Sequence, residues 1–116
     1  MNDTAYLHLV ASNASTLVEE GRSYGTLPGR ARVRLTILGT TIKARFTVYV
    51  SGGSISGAGH GVLHIGRGSQ ASFGGVLAIT RGTGRYAHAR GSGGLYGTLD
   101  RSSDGAVVQT LGHLSY

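Results

Sequence analysis

The acid–base chemistry open to this chain rests on few residues, because the sequence holds only five Asp and Glu side chains. Glu19 and Glu20 are adjacent at the end of a short segment that is typical of a β-strand. Neighbouring side chains of a strand point to opposite faces, so only one of the two carboxylates can enter the mouth of a β-barrel. That carboxylate, with Tyr24 or Tyr86, could act as a general acid or base in a cyclisation. The candidate catalytic residues are therefore Glu19, Tyr24 and Tyr86, and a solvated surface glutamate is the alternative.

A second chemical feature is a set of cationic side chains that alternate with apolar ones along residues 30–38 and 41–50. If the two segments pair through a two-residue turn, Arg34 lies directly across from Arg45, and like charges in that position destabilise a sheet. Solvent, acids of a neighbouring subunit or an anionic ligand would compensate them, and Arg suits phosphate, sulfate or carboxylate groups. Nucleic acid is less favoured than other polyanions, because the only aromatic residue on this face is Tyr49. The candidate anion-binding residues are Arg30, Arg32, Arg34, Lys43 and Arg45.

Metal and nucleophile chemistry find little support in the spacing of the other polar residues. The chain has five His residues, but His60 and His64 would lie about 13 Å apart on one straight strand, too far to chelate one ion. There is no Cys, and neither a Ser–His–Asp arrangement nor a nucleophile elbow is visible. Gly82-Thr83-Gly84 lacks the Lys and the following helix of a phosphate-binding loop. We expect neither a metal nor a cofactor.

The segments that must position these residues are short, numerous and separated by turns. Pairing Leu38 with Thr41 matches the apolar faces of the two alternating segments, and a slip of one residue would bury the arginines. No convincing helix is found. Eight strands joined by short connections close naturally into a barrel. We predict an all-β fold, an eight-stranded antiparallel up-and-down barrel in a single domain over residues 1–116, with a β-sandwich as the alternative. The predicted strands cover residues 6–11, 16–20, 30–38, 41–50, 55–65, 72–80, 86–100 and 106–116.

Composition limits the class of protein and of partner. The 116 residues are 40% hydrophobic and 14% charged, with 21 Gly and a single Pro, which is a globular composition rich in turns. The formal net charge of +6 favours anionic partners. No apolar run approaches the roughly 20 residues of a membrane span. The first residues lack the pattern of a signal peptide, so we expect a cytoplasmic protein or, slightly preferred, the mature domain of a secreted one.

Residues 80–91 carry a resemblance to a known family. Gly82-Thr83-Gly84-Arg85-Tyr86, followed by Ala89-Arg90-Gly91, resembles the glycine–threonine–glycine, aromatic, small–Arg–Gly motif of dirigent proteins, whose barrel is shared by allene oxide cyclases and some bacterial relatives. Phe73-Gly74-Gly75 and Gly94-Leu95-Tyr96-Gly97 are similar to small bacterial members of that family. The resemblance implies an antiparallel barrel that is often trimeric and whose interior can hold a hydrophobic small molecule. The motif itself is a turn and packing signature, so we expect its glycines to form the corner between strands six and seven.

Three functions follow from these features. The one we favour is a non-catalytic binding or scaffold barrel for a small apolar ligand or an anionic polymer, because the acids are few. The second is a cofactor-free cyclase or isomerase that folds a hydrophobic substrate inside the barrel by its shape. The third is a structural module of a secreted protein. In each case we expect a homo-oligomer, and the resemblance favours a trimer.

Overall fold

The chain forms one closed antiparallel sheet. A computed structural model describes residues 1–116. Each strand pairs with the next along the chain, and the last pairs with the first, so the architecture is the predicted eight-stranded up-and-down barrel. This confirms the predicted fold class. The strands are β1 (Asn2–Asn13), β2 (Thr16–Gly25), β3 (Gly29–Leu38), β4 (Thr41–Val50), β5 (Gly53–Ile65), β6 (Gln70–Gly84), β7 (Arg90–Asp100) and β8 (Gly105–Ser115).

The hairpin of β3 and β4 has the register that its alternation predicts. Leu38 pairs with Thr41, Val33 pairs with Phe46, and Arg34 pairs with Arg45. The apolar side chains of both strands face the barrel interior, while the cationic ones face solvent. A shift of one residue would reverse both faces and bury charged groups, which fixes the pairing.

The barrel closes with a stagger of ten residues. Starting at Ile65 on β5, the ladder of inward-facing partners runs through β6, β7, β8, β1, β2, β3 and β4 and returns to β5 at Ile55, ten positions away. Staggered strands tilt against the barrel axis, and eight of them enclose a space that side chains can fill. The core is accordingly a single cluster of 19 buried apolar residues.

Glycine makes room for the two interior phenylalanines. Phe46 and Gly57 are partners across β4 and β5, and a Cβ atom at Gly57 would lie 2.7 Å from Cζ of the Phe46 ring. Phe73 and Gly97 are partners across β6 and β7, and a Cβ atom at Gly97 would lie 2.5 Å from Cζ of the Phe73 ring. Each ring therefore occupies the volume that a side chain on the neighbouring strand would need.

An irregularity in β6 changes the direction of its side chains. Ile79 pairs with Gly57, and Arg81 pairs with Ser56, so Thr80 is an extra residue opposite no partner. Such a bulge interrupts the alternation of a strand. Ile79 is consequently buried, whereas Arg81, two residues later, is exposed on the outside of the barrel.

The strand boundaries differ from the prediction in β1, β2, β6 and β7. β1 extends beyond its predicted range at both ends, and β2 extends beyond it at its C-terminal end. The added residues include Asp3 and Ser23, which are polar but occupy buried, inward positions and so do not show the expected apolar alternation. The corner predicted at Gly82 and Gly84 lies later: Gly82 is within β6, Gly84 ends it with φ of 59°, and the connection covers residues 85–89. Residues 72–80 are apolar on both faces, yet Val76 is 52% exposed on the outer surface.

Candidate functional site

Glu19 is the most unusual acid of the chain. It faces the interior from β2, is fully buried, and neither carboxylate oxygen has a hydrogen-bond partner. Its neighbours in the ladder are Leu9 and Val33, which offer no polar atom in their side chains. Burial, with a smaller contribution from the charge of Asp104, raises the pKa of Glu19 to about 7. The carboxyl is therefore divided between its neutral and ionised forms near neutral pH.

The two predicted tyrosine partners of Glu19 lie elsewhere. Tyr24 is 55% exposed on the outer surface, where its ring meets that of Tyr6 edge to face at 5.9 Å. Tyr86 is buried in the connection between β6 and β7, with its ring centroid 4.7 Å from that of Tyr116. That connection is at the opposite end of the barrel from the connection between β7 and β8 that holds Asp104. The structure thus does not bring Glu19, Tyr24 and Tyr86 together.

A small cavity of about 60 Å³ lies in the barrel interior. It is lined mainly by apolar side chains, with Asp3 and Ser23 among the few polar ones, and Glu19 does not border it. Oδ1 of Asp3 accepts a hydrogen bond of 2.6 Å from the amide of Leu27, whereas Oδ2 is buried without a partner. Burial raises the pKa of Asp3, although the Leu27 amide opposes this. Since pockets for drug-sized ligands have about 300–1,000 Å³, this cavity is of the size that holds a few water molecules.

All five predicted anion-binding residues lie on the outside of the barrel and are exposed. The structure adds two residues that the sequence reasoning missed. Arg22 on β2 is the direct cross-strand partner of Arg30, and Arg81 reaches the same side of the barrel because of the bulge at Thr80. We call this surface the cationic wall; it consists of Arg22, Arg30, Arg32, Arg34, Lys43, Arg45 and Arg81.

A groove runs through the cationic wall along β4 and β5. One depression of about 580 Å³ contains four arginines, and a second of about 570 Å³ continues it toward Lys43 and His60. The two share Arg34, Arg45 and Ala58 among their lining residues, so they form one continuous feature. We call it the arginine groove. The four arginines of its first part are Arg32, Arg34, Arg45 and Arg81.

The arginine groove has a floor of small residues and walls of guanidinium groups. Thr47 and Ser56 are partners across β4 and β5, and their hydroxyl oxygens are 2.9 Å apart. Only one of the two hydroxyl hydrogens is used in that bond, so the other is free to donate to a ligand. Arg32 on β3 and Arg81 on β6 stand three strand spacings apart, about 14 Å, on either side of this floor. Long side chains at that separation can hold an anion from both sides.

The charges of the cationic wall are poorly compensated within the chain. Arg34 faces Arg45 and Arg22 faces Arg30 directly across neighbouring strands. The one guanidinium that donates a side-chain hydrogen bond belongs to Arg90, outside this wall. Glu20, opposite Arg32 on β2, is the acid that lies on the same side, and it does not line the arginine groove. Anionic ligands are the natural complement of such an arrangement.

The opposite side of the barrel is nearly free of charge. Its exposed apolar residues are each about half accessible, and glycines lie between them. Tyr96 lies flat over Gly94, where a Cβ atom would come within 2.6 Å of Cε2 of the ring. We call this surface the neutral wall; it consists of Val62, Gly74, Val76, Gly94, Tyr96 and Leu111.

The histidines do not form a centre of their own, since no three His, Asp or Glu side chains are grouped as metal ligands would be. The structure also contains no helix long and apolar enough to cross a membrane. No protein-family model, curated protein or solved structure matches the chain. The resemblance to dirigent proteins and allene oxide cyclases therefore stays a prediction.

Proposed function

We propose that the protein is a non-catalytic binding barrel that holds an anionic polymer in the arginine groove. The observation that carries this proposal is that four guanidinium groups surround one groove whose lining residues include no carboxylate. Guanidinium groups form paired hydrogen bonds with phosphate, sulfate and carboxylate groups and keep their charge at every accessible pH. An anion in the groove would also relieve the repulsion between Arg34 and Arg45, which face each other across β3 and β4.

The shape of the groove supports a polymer over a single small anion. Its two depressions follow β4 and β5, with Thr47 in one and Lys43 in the other. These residues are four positions apart on one strand, which corresponds to about 14 Å. The cationic side chains repeat along this length rather than converging on one point. A linear chain with repeated anionic groups would contact each of them in turn.

The size of the interior cavity favours the outer surface as the binding site. About 60 Å³ lined by packed apolar side chains gives little room for an apolar ligand, whereas the groove is open to solvent and roughly ten times larger. A small apolar ligand inside the barrel would require Phe46, Phe73 or their neighbours to move. The anionic polymer is therefore the part of the expected function that the geometry supports best.

A cofactor-free cyclase or isomerase is the second candidate. It is favoured by Glu19, whose pKa of about 7 suits a group that both gives and takes a proton near neutral pH. A substrate would need space beside the Glu19 carboxyl, and the interior cavity does not extend to it. Self-association and a secreted location remain predictions that are compatible with either function.

Charge reversal in the groove tests the polymer-binding proposal. The double variant Arg34→Glu, Arg45→Glu should elute from immobilised heparin at much lower salt, and its logarithmic salt dependence of binding should be smaller by about 2. The matched control is Arg67→Glu, Arg101→Glu, which changes the net charge equally in the connections at one end of the barrel. Equal losses in both double variants would mean that binding follows net charge and not the groove, and the proposal would fail.

A further inference from the structure

A row of aromatic and cationic side chains crosses four strands on the outside of the barrel. In the ladder, Tyr6 on β1 is the partner of Arg22, Arg22 of Arg30, and Arg30 of Tyr49 on β4. Tyr6 and Tyr49 are 56% and 55% exposed, so both side chains are accessible to a ligand. The ring of Tyr24 supports Tyr6 from the side at 5.9 Å. We call Tyr6, Arg22, Arg30 and Tyr49 the stacking row.

The stacking row meets one end of the arginine groove. Tyr49 follows Thr47 on the outer face of β4, two residues further on, and this step is about 7 Å along a strand. A chain that lies in the groove along β4 therefore reaches the Tyr49 ring directly after the hydroxyls of Thr47 and Ser56. From there the row continues across β3 and β2 to Tyr6, three strand spacings or about 14 Å away.

We propose that the anionic polymer is a single-stranded nucleic acid, with phosphates in the arginine groove and bases stacked on Tyr49 and Tyr6. This inference rests on the proposed function and names its ligand. Proteins that bind single strands without sequence preference combine a cationic groove with exposed aromatic rings, because every base has a face that can stack. The bases of a duplex already stack on one another and leave only their edges accessible, so a double strand gains nothing from these rings.

The arrangement of charges along the row agrees with this ligand. Arg22 and Arg30 stand side by side between the two rings, so a phosphate between two stacked bases would find a pair of guanidinium groups. In the arginine groove, which follows β4 and β5, neighbouring outward residues of one β-strand are about 7 Å apart. Successive phosphates of an extended single-stranded nucleic acid have a similar separation. Sequence reasoning gave nucleic acid a low rank because it placed only Tyr49 on this surface, whereas Tyr6 joins it through closure of β1 onto β2.

The rings and the charges can be tested separately with three probes. The first is a fluorescent oligothymidylate of about 12 nucleotides, the second is an abasic deoxyribose–phosphate chain of the same length, and the third is a heparin oligosaccharide of similar charge. We expect Tyr49→Leu and Tyr6→Leu each to weaken oligothymidylate binding about tenfold, the effect of losing one stacked base. Binding of the abasic chain and of heparin should change less than twofold. The matched control is Tyr96→Leu, which removes a ring of similar exposure from the neutral wall and should leave all three affinities unchanged.

The outcomes separate this inference from the function on which it rests. A selective loss of oligothymidylate binding in the Tyr49 and Tyr6 variants supports both. Unchanged oligothymidylate binding in these variants, or equal losses for the abasic chain, overturns the single-strand proposal while leaving polymer binding in place. If Arg34→Glu, Arg45→Glu binds every probe as well as the unaltered protein does, the groove itself is excluded. Melting temperatures of all variants verify that the barrel is intact, and we expect those of Tyr49→Leu and Tyr6→Leu to agree with that of the unaltered protein because both rings are exposed.

Discussion

The cationic wall and the neutral wall are two sides of one sheet, with the same closure and the same stagger, but they are built from opposite kinds of residue. Along β3 and β4, large charged side chains point outward and branched apolar ones point inward, in strict alternation. Along β5 to β7, glycines occupy positions on both faces, and the ring of Tyr96 covers two of them, Gly74 and Gly94. The strand register is thus specified by charge on one side of the barrel and by the steric fit of side chains on the other.

This difference shows two ways of fixing the register of a strand. In the cationic wall a slip would bury guanidinium groups, whose transfer from water is costly, so the alternation alone decides the pairing. Behind the neutral wall, residues 72–80 of β6 and 91–99 of β7 include no charged side chain that a slip could bury. The pairing there depends on whether Phe73 finds Gly97 opposite it. Register set by charge leaves an outer surface that can bind anions, whereas register set by side-chain fit leaves an outer surface with almost no charge.

The largest effect is expected from filling an interior glycine on the neutral side. In Gly97→Ala, the new methyl group meets Cζ of Phe73 at 2.5 Å and the backbone oxygen of Val107, so the variant should lose about 2–3 kcal/mol in urea unfolding. Gly74→Ala is the control, because its methyl group would find Tyr96 at an ordinary 3.5 Å on the outside. That variant should be nearly neutral. Equal losses would show that fit does not distinguish the two positions.

A second effect concerns the acid buried behind the cationic wall. The pKa of Glu19 is raised from 4.5 in the unfolded chain to about 7 in the fold, so folding favours the neutral carboxyl. The contribution of Glu19 to stability is therefore fully present below about pH 4.5 and is lost as the pH rises through 7, by about 2–3 kcal/mol between pH 5 and pH 8. Glu19→Gln should remove most of this dependence in urea unfolding. Glu20→Gln, which alters the adjacent residue on the outer surface, should keep it; a flat profile for the unaltered protein would contradict the burial of an ionisable Glu19.

The smallest effect is expected from the like-charge pair of the cationic wall. Arg34→Thr removes the repulsion with Arg45 and introduces a residue that suits strands, so it should stabilise the barrel by about 0.5 kcal/mol at low salt. The gain should disappear at about 1 M salt, where exposed charges are screened. Arg67→Thr provides the control, since Arg67 has no cross-strand partner. If Arg34→Thr has no effect at low salt, solvent already compensates the repulsion between Arg34 and Arg45, and the charges of the cationic wall do not destabilise the barrel.

Sequence patterns were sufficient where alternation was strict. The hairpin of β3 and β4, its register, and the outward direction of its five cationic residues all follow from the period of two in residues 30–50. Alternation did not place Arg81 on the outer surface, because the bulge at Thr80 reverses which residues of β6 face inward. The sign of this bulge in the sequence is that Arg81 lies two residues after the inward-facing Ile79. Asp3 is a second residue that alternation did not place, because it precedes the predicted first strand, yet it faces inward and is buried.

Residues from distant parts of the chain could be assembled only by the closed barrel. The sequence by itself determined the class of fold, the number of strands and the presence of a cationic surface, because these depend on local periodicity and on the cost of burying charge. The tertiary structure decided that Arg81 joins the arginine groove, that Tyr6 stands in line with Tyr49, and that Glu19 is sealed away from both tyrosines. Those relations depend on the stagger of the closed ladder and on one bulge in β6, and neither is encoded in the spacing of residues along a single strand.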